Sequence, residues 1–144
     1  MADDGMRLGM LGIHYPPPAP LDAVAQAEWE IQQAAALGLA ALHLYNVPTD
    51  APGEVIDRLA DMARDAGVEL ECELPWEAFT LDTSLWDEIA PQTAAVMATA
   101  ARLGADIVRG GYGCITLDTT RYARHARLGE HLGAVAARVT EVAD

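Results

Sequence analysis

The sequence predicts an α/β protein in which four strand–helix units form one parallel sheet. The main observation is a joint that occurs three times: a helix-like run ends at a glycine, and a short apolar strand follows at once. The glycines are Gly38, Gly67 and Gly104. Glycine adopts the left-handed conformation that ends many helices. Repetition of helix, glycine and strand is typical of parallel βα architecture, in which ligands bind at the carboxyl ends of the strands.

Composition favours one folded domain, residues 1–144, and argues against some classes of binding partner. Half of the chain is apolar (51%), so it is not disordered. A net charge of -13 argues against nucleic acid. No apolar run approaches the roughly 18 residues of a membrane span, and the acidic start does not resemble a signal peptide. We therefore expect a cytoplasmic protein that binds neither nucleic acid nor membranes, with Cys72 and Cys114 as reduced thiols.

The strands are predicted where short apolar or alternating runs occur. They cover 7–13, 41–45, 68–74 and 106–109. A proline-rich loop at 14–20 follows the first strand and must be extended, because each proline restricts the residue before it.

The helices are predicted from apolar side chains at helical spacing and from their end signals. They cover 21–37, 52–66, 91–103 and 121–143. Asp50 is the expected cap of the second helix, with Pro52 in its first turn. Ser84 is expected to open a short helical turn, after which Pro91 starts the third helix afresh.

Three segments carry a resemblance to a known family. They are MRLGM at 6–10 as the opening strand, AALGL at 35–39, and ATAARLGA at 98–105. The order of elements resembles the N-terminal half of the xylose isomerase-like TIM barrels, the family of sugar phosphate isomerases and epimerases. The chain departs from the family at His43, because family members often have a glutamate inside the second strand. It also departs in length, since such barrels have eight units and about 250 residues.

The resemblance implies half of a (βα)8 TIM barrel, either natural or the N-terminal part of a longer barrel. It implies metal-assisted isomerisation or epimerisation of a sugar or sugar derivative, in which a divalent metal (Mn, Mg or Zn) polarises oxygens while a carboxylate moves a proton. Family members carry their metal ligands and catalytic carboxylates on strands 5 to 8. The metal is therefore expected only in the complete barrel, and the isolated chain is expected to be inactive. Self-association or a complementary C-terminal half-barrel would complete it.

Alternation along the strands indicates which side chains enter the lumen. In the third strand Glu69, Glu71 and Glu73 share one face, and Glu73 is nearest the carboxyl end. Glu73 is thus a candidate substrate-binding carboxylate, unless these glutamates are solvated or pair with an arginine. In the second strand His43 and Tyr45 point inward; a structural role is favoured for His43, whereas Tyr45 is placed to line a site.

The remaining candidates follow other strands. Arg109 ends the fourth strand beside a glycine-rich segment that contains Tyr112, and it could bind a carboxylate, a hydroxyl or a phosphate. It could equally pair with a glutamate of the third strand. His14 follows the first strand, either in the site or facing solvent.

The sequence thus predicts a substrate-binding set, with catalytic residues unknown. The set is His14, Tyr45, Glu73, Arg109 and Tyr112. The alternative is a non-catalytic binding or scaffold subunit, built on a half-barrel or on a flavodoxin-like open sheet. Strand order distinguishes these two folds, because it is 1-2-3-4 in the barrel half and 2-1-3-4 in the open sheet.

Overall fold

A computed structural model describes residues 7–12, 16–75, 86–110, 133–134 and 137. The elements in chain order are β1 (Gly9–Leu11), α1 (Ala23–Ala36), β2 (Ala41–Leu44), α2 (Gly53–Asp65), β3 (Glu69–Glu73), α3 (Trp86–Leu103) and β4 (Ile107–Arg109). Every strand–helix unit predicted within these ranges is present, with somewhat shorter strands. The predicted helix at 121–143 falls almost wholly outside the described residues, of which 133, 134 and 137 are helical.

The four strands form one parallel sheet in the order β1-β2-β3-β4. Leu42 of β2 lies between Met10 and Leu70, and Glu73 of β3 lies beside Arg109. This sequential order is the one predicted for half of a TIM barrel. It differs from the 2-1-3-4 order of a flavodoxin-like sheet, so the described strands do not form that fold.

The three predicted glycine joints end α1, α2 and α3. Gly38, Gly67 and Gly104 have φ of +67°, +68° and +73°. In each joint the amide after the glycine donates to a carbonyl of the last helical turn, as from Val68 to Ala63 at 2.9 Å. The positive φ explains why glycine stands at these positions, because a side chain there would strain the backbone.

The apolar core lies between the helices and one face of the sheet. Leu42, Leu44 and Cys72 are completely buried on the strands, and they pack in one cluster with Ile31 of α1 and Leu59 of α2. Burial raises the pKa of the Cys72 thiol to about 12, so this thiol is not a nucleophile near neutral pH.

The chain divides into two compact units. The first comprises Met1–Glu73 and Ala98–Arg109, and holds the sheet, α1, α2 and the end of α3. The second comprises Leu74–Met97 and Gly110–Asp144. In its described part Thr93 donates a hydrogen bond from Oγ1 to the Ile89 carbonyl at 3.1 Å, within the helix. Within the described ranges, no helix is both long and apolar enough to cross a membrane.

Two predicted helix starts are wrong. Asp50 does not cap α2: the helix begins at Gly53, so Pro52 occupies the cap position and provides no side-chain hydrogen bond. Pro91 does not start α3 afresh, since it lies inside a continuous helix that begins at Trp86. Pro91 is the sixth residue of α3 and has no N–H to donate to the carbonyl four residues earlier, so one internal hydrogen bond is lost while the helix continues through it.

Candidate functional site

The side chains opposite the core form a polar inner face of the sheet. The register places His43 of β2 beside Glu71 of β3, and Glu73 follows two residues later on the same face. His43 is buried, with 4% of its side chain exposed, whereas Glu71 and Glu73 are 29% and 15% exposed. The predicted facing of these residues is therefore present, and it brings three ionisable groups together.

His43 is held by Glu73. Its Nε2 lies 2.7 Å from Glu73 Oε2, a hydrogen bond in which Nε2–H donates to the carboxylate. Nδ1 lies 3.4 Å from Glu71 Oε2, but this contact is too poorly directed for a hydrogen bond, so Nδ1 is buried without such a partner. Glu73 is thus the partner of a buried imidazole and not a carboxylate standing free in the lumen.

A cleft of about 620 Å³ opens at the carboxyl ends of β1 and β2. Gly12 follows β1, and the exposed side chains of Tyr45 and Asn46 follow β2. Gln26 of α1 and the proline-rich segment 16–20 complete the wall, together with Leu21. Tyr45 therefore lies where the sequence predicts a ligand, at the end of its strand.

Glu30 of α1 lies buried beside this cleft. A Cβ added at Gly12 would be 2.4 Å from Glu30 Oε2, so the carboxyl fills the space that a side chain at position 12 would need. Gln26 donates a hydrogen bond from Nε2 to Glu30 Oε1 at 2.8 Å. Burial raises the pKa of the Glu30 carboxyl, although the Gln26 hydrogen bond and the charge of the nearby His43 act in the opposite direction.

Sequence reasoning missed Glu30 and Gln26. The available signal was positional: Glu30 shares the buried side of α1 with Ala27, Ile31 and Ala34, where a charged residue is unusual. A glutamate in the apolar stripe of an amphipathic helix indicates a specific partner.

Two of the predicted site residues lie outside the described residues: His14 and Tyr112. Arg109 is exposed on β4, beside Glu73 in the register. None of the ion pairs formed between described residues includes Arg109, so the alternative of a pair with a glutamate of β3 finds no support in that part of the chain.

These observations define a class of protein: half of a parallel βα barrel, with ionisable groups on its inner face and a cleft at the carboxyl ends of the first strands. Solved structures with this fold include D-psicose 3-epimerase in the presence of D-fructose, with a TM-score of 0.64 and 15% identity over 95% of this chain and 50% of that one. L-ribulose 3-epimerase matches with a TM-score of 0.62 and 20% identity, over 94% of this chain and 46% of that one.

A further match is D-psicose 3-epimerase with D-tagatose from Clostridium cellulolyticum H10, with a TM-score of 0.63 and 18% identity over 95% of this chain and 50% of that one. The chain thus spans about half the length of these epimerases and has the fold of half of such a barrel. No protein-family model and no curated protein sequence matches it.

Proposed function

We propose that the chain is one half of a sugar isomerase- or epimerase-like barrel and contributes substrate-binding residues to a metal-assisted proton-transfer site. The observation that carries this proposal is the cleft at the carboxyl ends of β1 and β2, whose described lining consists of neutral polar and apolar groups. A sugar needs both, because its hydroxyls form hydrogen bonds while its carbon face packs on apolar surface. The solved structures that share the fold are sugar epimerases.

Tyr45 is the central substrate contact in this proposal. Its side chain is 44% exposed in the cleft, so the ring can stack on a sugar face and the hydroxyl can bind a sugar oxygen. His14, Arg109 and Tyr112 remain proposed contacts. Glu73 also remains a proposed contact, although its Oε2 accepts a hydrogen bond from the His43 imidazole.

The proposed divalent metal (Mn, Mg or Zn) would polarise the substrate oxygens when it is bound. The described residues do not fit it: no group of three His, Cys, Asp or Glu side chains among them could hold a metal ion. His43 and Glu73 are moreover engaged with each other. The ligands would have to come from a complementary half-barrel or from other parts of this protein, and the described residues bind and orient the substrate.

A partner is part of the proposal because the sheet has two edges. Among the described strands β1 and β4 each pair on one side only, which leaves backbone groups available to another strand. A complementary C-terminal half-barrel, or a second copy of this chain, would pair with these edges.

Sugar titration tests the proposed site. D-fructose and D-tagatose, the sugars found with the similar epimerases, are added to the chain while backbone amide shifts are followed by NMR. We expect shifts concentrated at Tyr45 and Asn46, and a several-fold loss of affinity in Tyr45→Ala. Arg64→Ala, an exposed change on α2, is the control and should leave affinity unchanged. Absence of sugar binding, both alone and with a complementary half, would refute the proposal.

The alternative is a non-catalytic binding or scaffold subunit. It is favoured by the His43–Glu73 hydrogen bond, which gives a structural role to the carboxylate expected to bind substrate. A chain that assembles with a complementary half but neither binds nor converts sugars would establish the alternative.

A further inference from the structure

Glu30 is an ionisable residue at a buried position where an ionisable group does not stabilise the core. It is 1% exposed and lies on the side of α1 that packs toward the sheet. Burial of a carboxyl costs free energy unless hydrogen bonds compensate for the lost water. An apolar side chain would suit the stripe formed by Ala27, Ile31 and Ala34 better, so the reason for a carboxyl lies in its contacts.

The first contact places the carboxyl at the wall of the cleft. Gly12 lines the cleft, and a Cβ at that position would be 2.4 to 2.6 Å from the three carboxyl atoms of Glu30. The missing side chain at Gly12 therefore lets the carboxyl pack directly against the backbone after β1. The Glu30 carboxyl therefore lies behind the backbone that forms the cleft wall and is not itself exposed in the cleft.

The second contact fixes the orientation of a side chain that does line the cleft. Gln26 donates from Nε2 to Glu30 Oε1 at 2.8 Å, so the NH₂ group of Gln26 lies on that side. The Gln26 carbonyl Oε1 must then face the other way, where Asn46 Nδ2 donates to it at 3.5 Å. Gln26 and Asn46 both line the cleft.

We propose that Glu30 is a positioning residue that acts through Gln26, holding the Gln26 carbonyl toward the cleft as an acceptor for a hydroxyl of a neutral, polyhydroxylated ligand. The inference rests on the proposed function, because it takes a sugar as the ligand. The orientation of Gln26 can nevertheless be measured with no sugar present. The described side chains that line the cleft carry no formal charge, which matches a neutral ligand better than a phosphorylated one.

Two substitutions at Glu30 separate positioning from a structural role. Glu30→Gln keeps the shape, but two amides can pair in either sense, so the Gln26 carbonyl is no longer fixed. Glu30→Leu removes the acceptor altogether. We expect both variants to melt at or above the temperature of the wild type, because a buried carboxyl is removed. Affinity for D-fructose or D-tagatose should fall about threefold in Glu30→Gln and about tenfold in Glu30→Leu. A structural role would lower stability and affinity together.

Glu28→Gln is the matched control. It makes the same change on the same helix, but Glu28 pairs with Arg58 and does not line the cleft. We expect its sugar affinity to stay within about twofold of the wild type, since an exposed ion pair contributes little.

A double-mutant cycle with Gln26→Ala tests the route of the effect. If Glu30 acts through Gln26, Glu30→Leu will cause no further loss of affinity in the Gln26→Ala background. An additive loss would overturn the proposal, as would unchanged sugar affinity in Glu30→Leu. Should Glu30→Leu fail to fold, the same cycle with Glu30→Gln decides.

NMR of the Gln26 side-chain amide makes the two proposals distinguishable. Without sugar, the proton bonded to Glu30 should resonate downfield in the wild type and in Glu28→Gln, and should lose that shift in Glu30→Leu. If the wild type binds no sugar but this pattern holds, the proposed function fails while Glu30 still orients Gln26. If the shift is the same in all three proteins, the inference about Glu30 is wrong.

Discussion

At the scale of single residues, the inner face depends on how the buried imidazole of His43 is satisfied. The alternation of β2 and β3 predicts that His43 and the glutamates share a face. It does not predict that Glu73 lies 2.7 Å from Nε2, because alternation fixes the side of the sheet and leaves the rotamers free. The sequence therefore indicates the members of this cluster but not their contacts.

Glu73→Gln should destabilise the fold by about 1–3 kcal/mol, because a charge-assisted hydrogen bond to a buried imidazole is weakened. Urea unfolding measures the change. Glu69→Gln is the control: Glu69 lies on the same strand, but its side chain is 67% exposed and its partner Arg7 is exposed as well. Its effect should stay below about 1 kcal/mol. Equal effects of the two substitutions would contradict the assignment of Glu73 as the partner of His43.

Glu30 predicts a pH dependence whose sign follows from its raised pKa. The folded state binds this proton more tightly than the unfolded state, whose value is near 4.5. Below that pH the carboxyl is protonated in both states and brings no penalty. As the pH rises from 4.5 through the folded-state value, ionisation of the buried group lowers stability.

The free energy of unfolding of the wild type should therefore fall relative to that of Glu30→Gln between pH 4 and pH 8. Chemical denaturation at several pH values measures the free energy of unfolding of both proteins. Groups that do not contact residue 30 contribute equally to both, so their contributions cancel in the difference. The charge of His43 also acts on Glu30, so His43→Gln is added to both proteins as a check. A difference that is constant with pH would contradict the raised pKa.

At the scale of elements, the glycine joints were the most predictable feature of the chain. Each combines a helix end with a positive φ, and both leave a signal in the local sequence. The helix starts were less predictable. Asp22 caps α1 by accepting a hydrogen bond from the Ala25 amide at 2.8 Å. Asp50 lies two residues before the cap position of α2 and does not cap that helix. A cap depends on the exact residue at which the backbone turns helical, which tertiary packing decides.

Gly67→Ala should cost about 1–2 kcal/mol, because φ is +68° and no atom lies within 4 Å of the added Cβ, so the loss is purely conformational. Gly67→Asn should cost less, since asparagine tolerates the left-handed region. Thermal or urea unfolding checks both. Gly12→Ala gives the contrast: its Cβ would meet the Glu30 carboxyl, so we expect its cost to fall when Glu30 is shortened to alanine. Equal costs of Gly67→Ala and Gly67→Asn would exclude the conformational explanation.

At the scale of the whole molecule, strand order was predictable because sequential βα units have short, right-handed connections. Ligand contacts and partners were not, since they depend on residues far apart in the chain. The sheet has β1 and β4 at its described edges, and Ile107 of β4 is 50% exposed on the inner face beside Glu71. An exposed edge strand and an exposed apolar side chain both favour association.

We therefore expect the purified chain to self-associate, or to bind a complementary half-barrel, at micromolar concentration. Sedimentation measures the mass against the 15.3 kDa of one chain. Ile107→Lys should shift the distribution toward the monomer without loss of helical content, because the side chain is already half exposed. Asp61→Lys, on the exposed side of α2, is the control and should not. A monomer of 15.3 kDa with a cooperative melt would refute the expectation.

Cys72 gives the chain a built-in reporter of its own opening. The thiol is completely sealed in the core and, with a pKa of about 12, is almost wholly protonated at neutral pH. Reagents that modify thiols can therefore reach it only when the sheet separates from its helices. In a Cys114→Ser background, the rate at which Cys72 becomes modified would time those openings. A sugar or a second half-barrel that binds the sheet would lower the rate of Cys72 modification, even if its binding does not change the NMR spectrum of the folded protein.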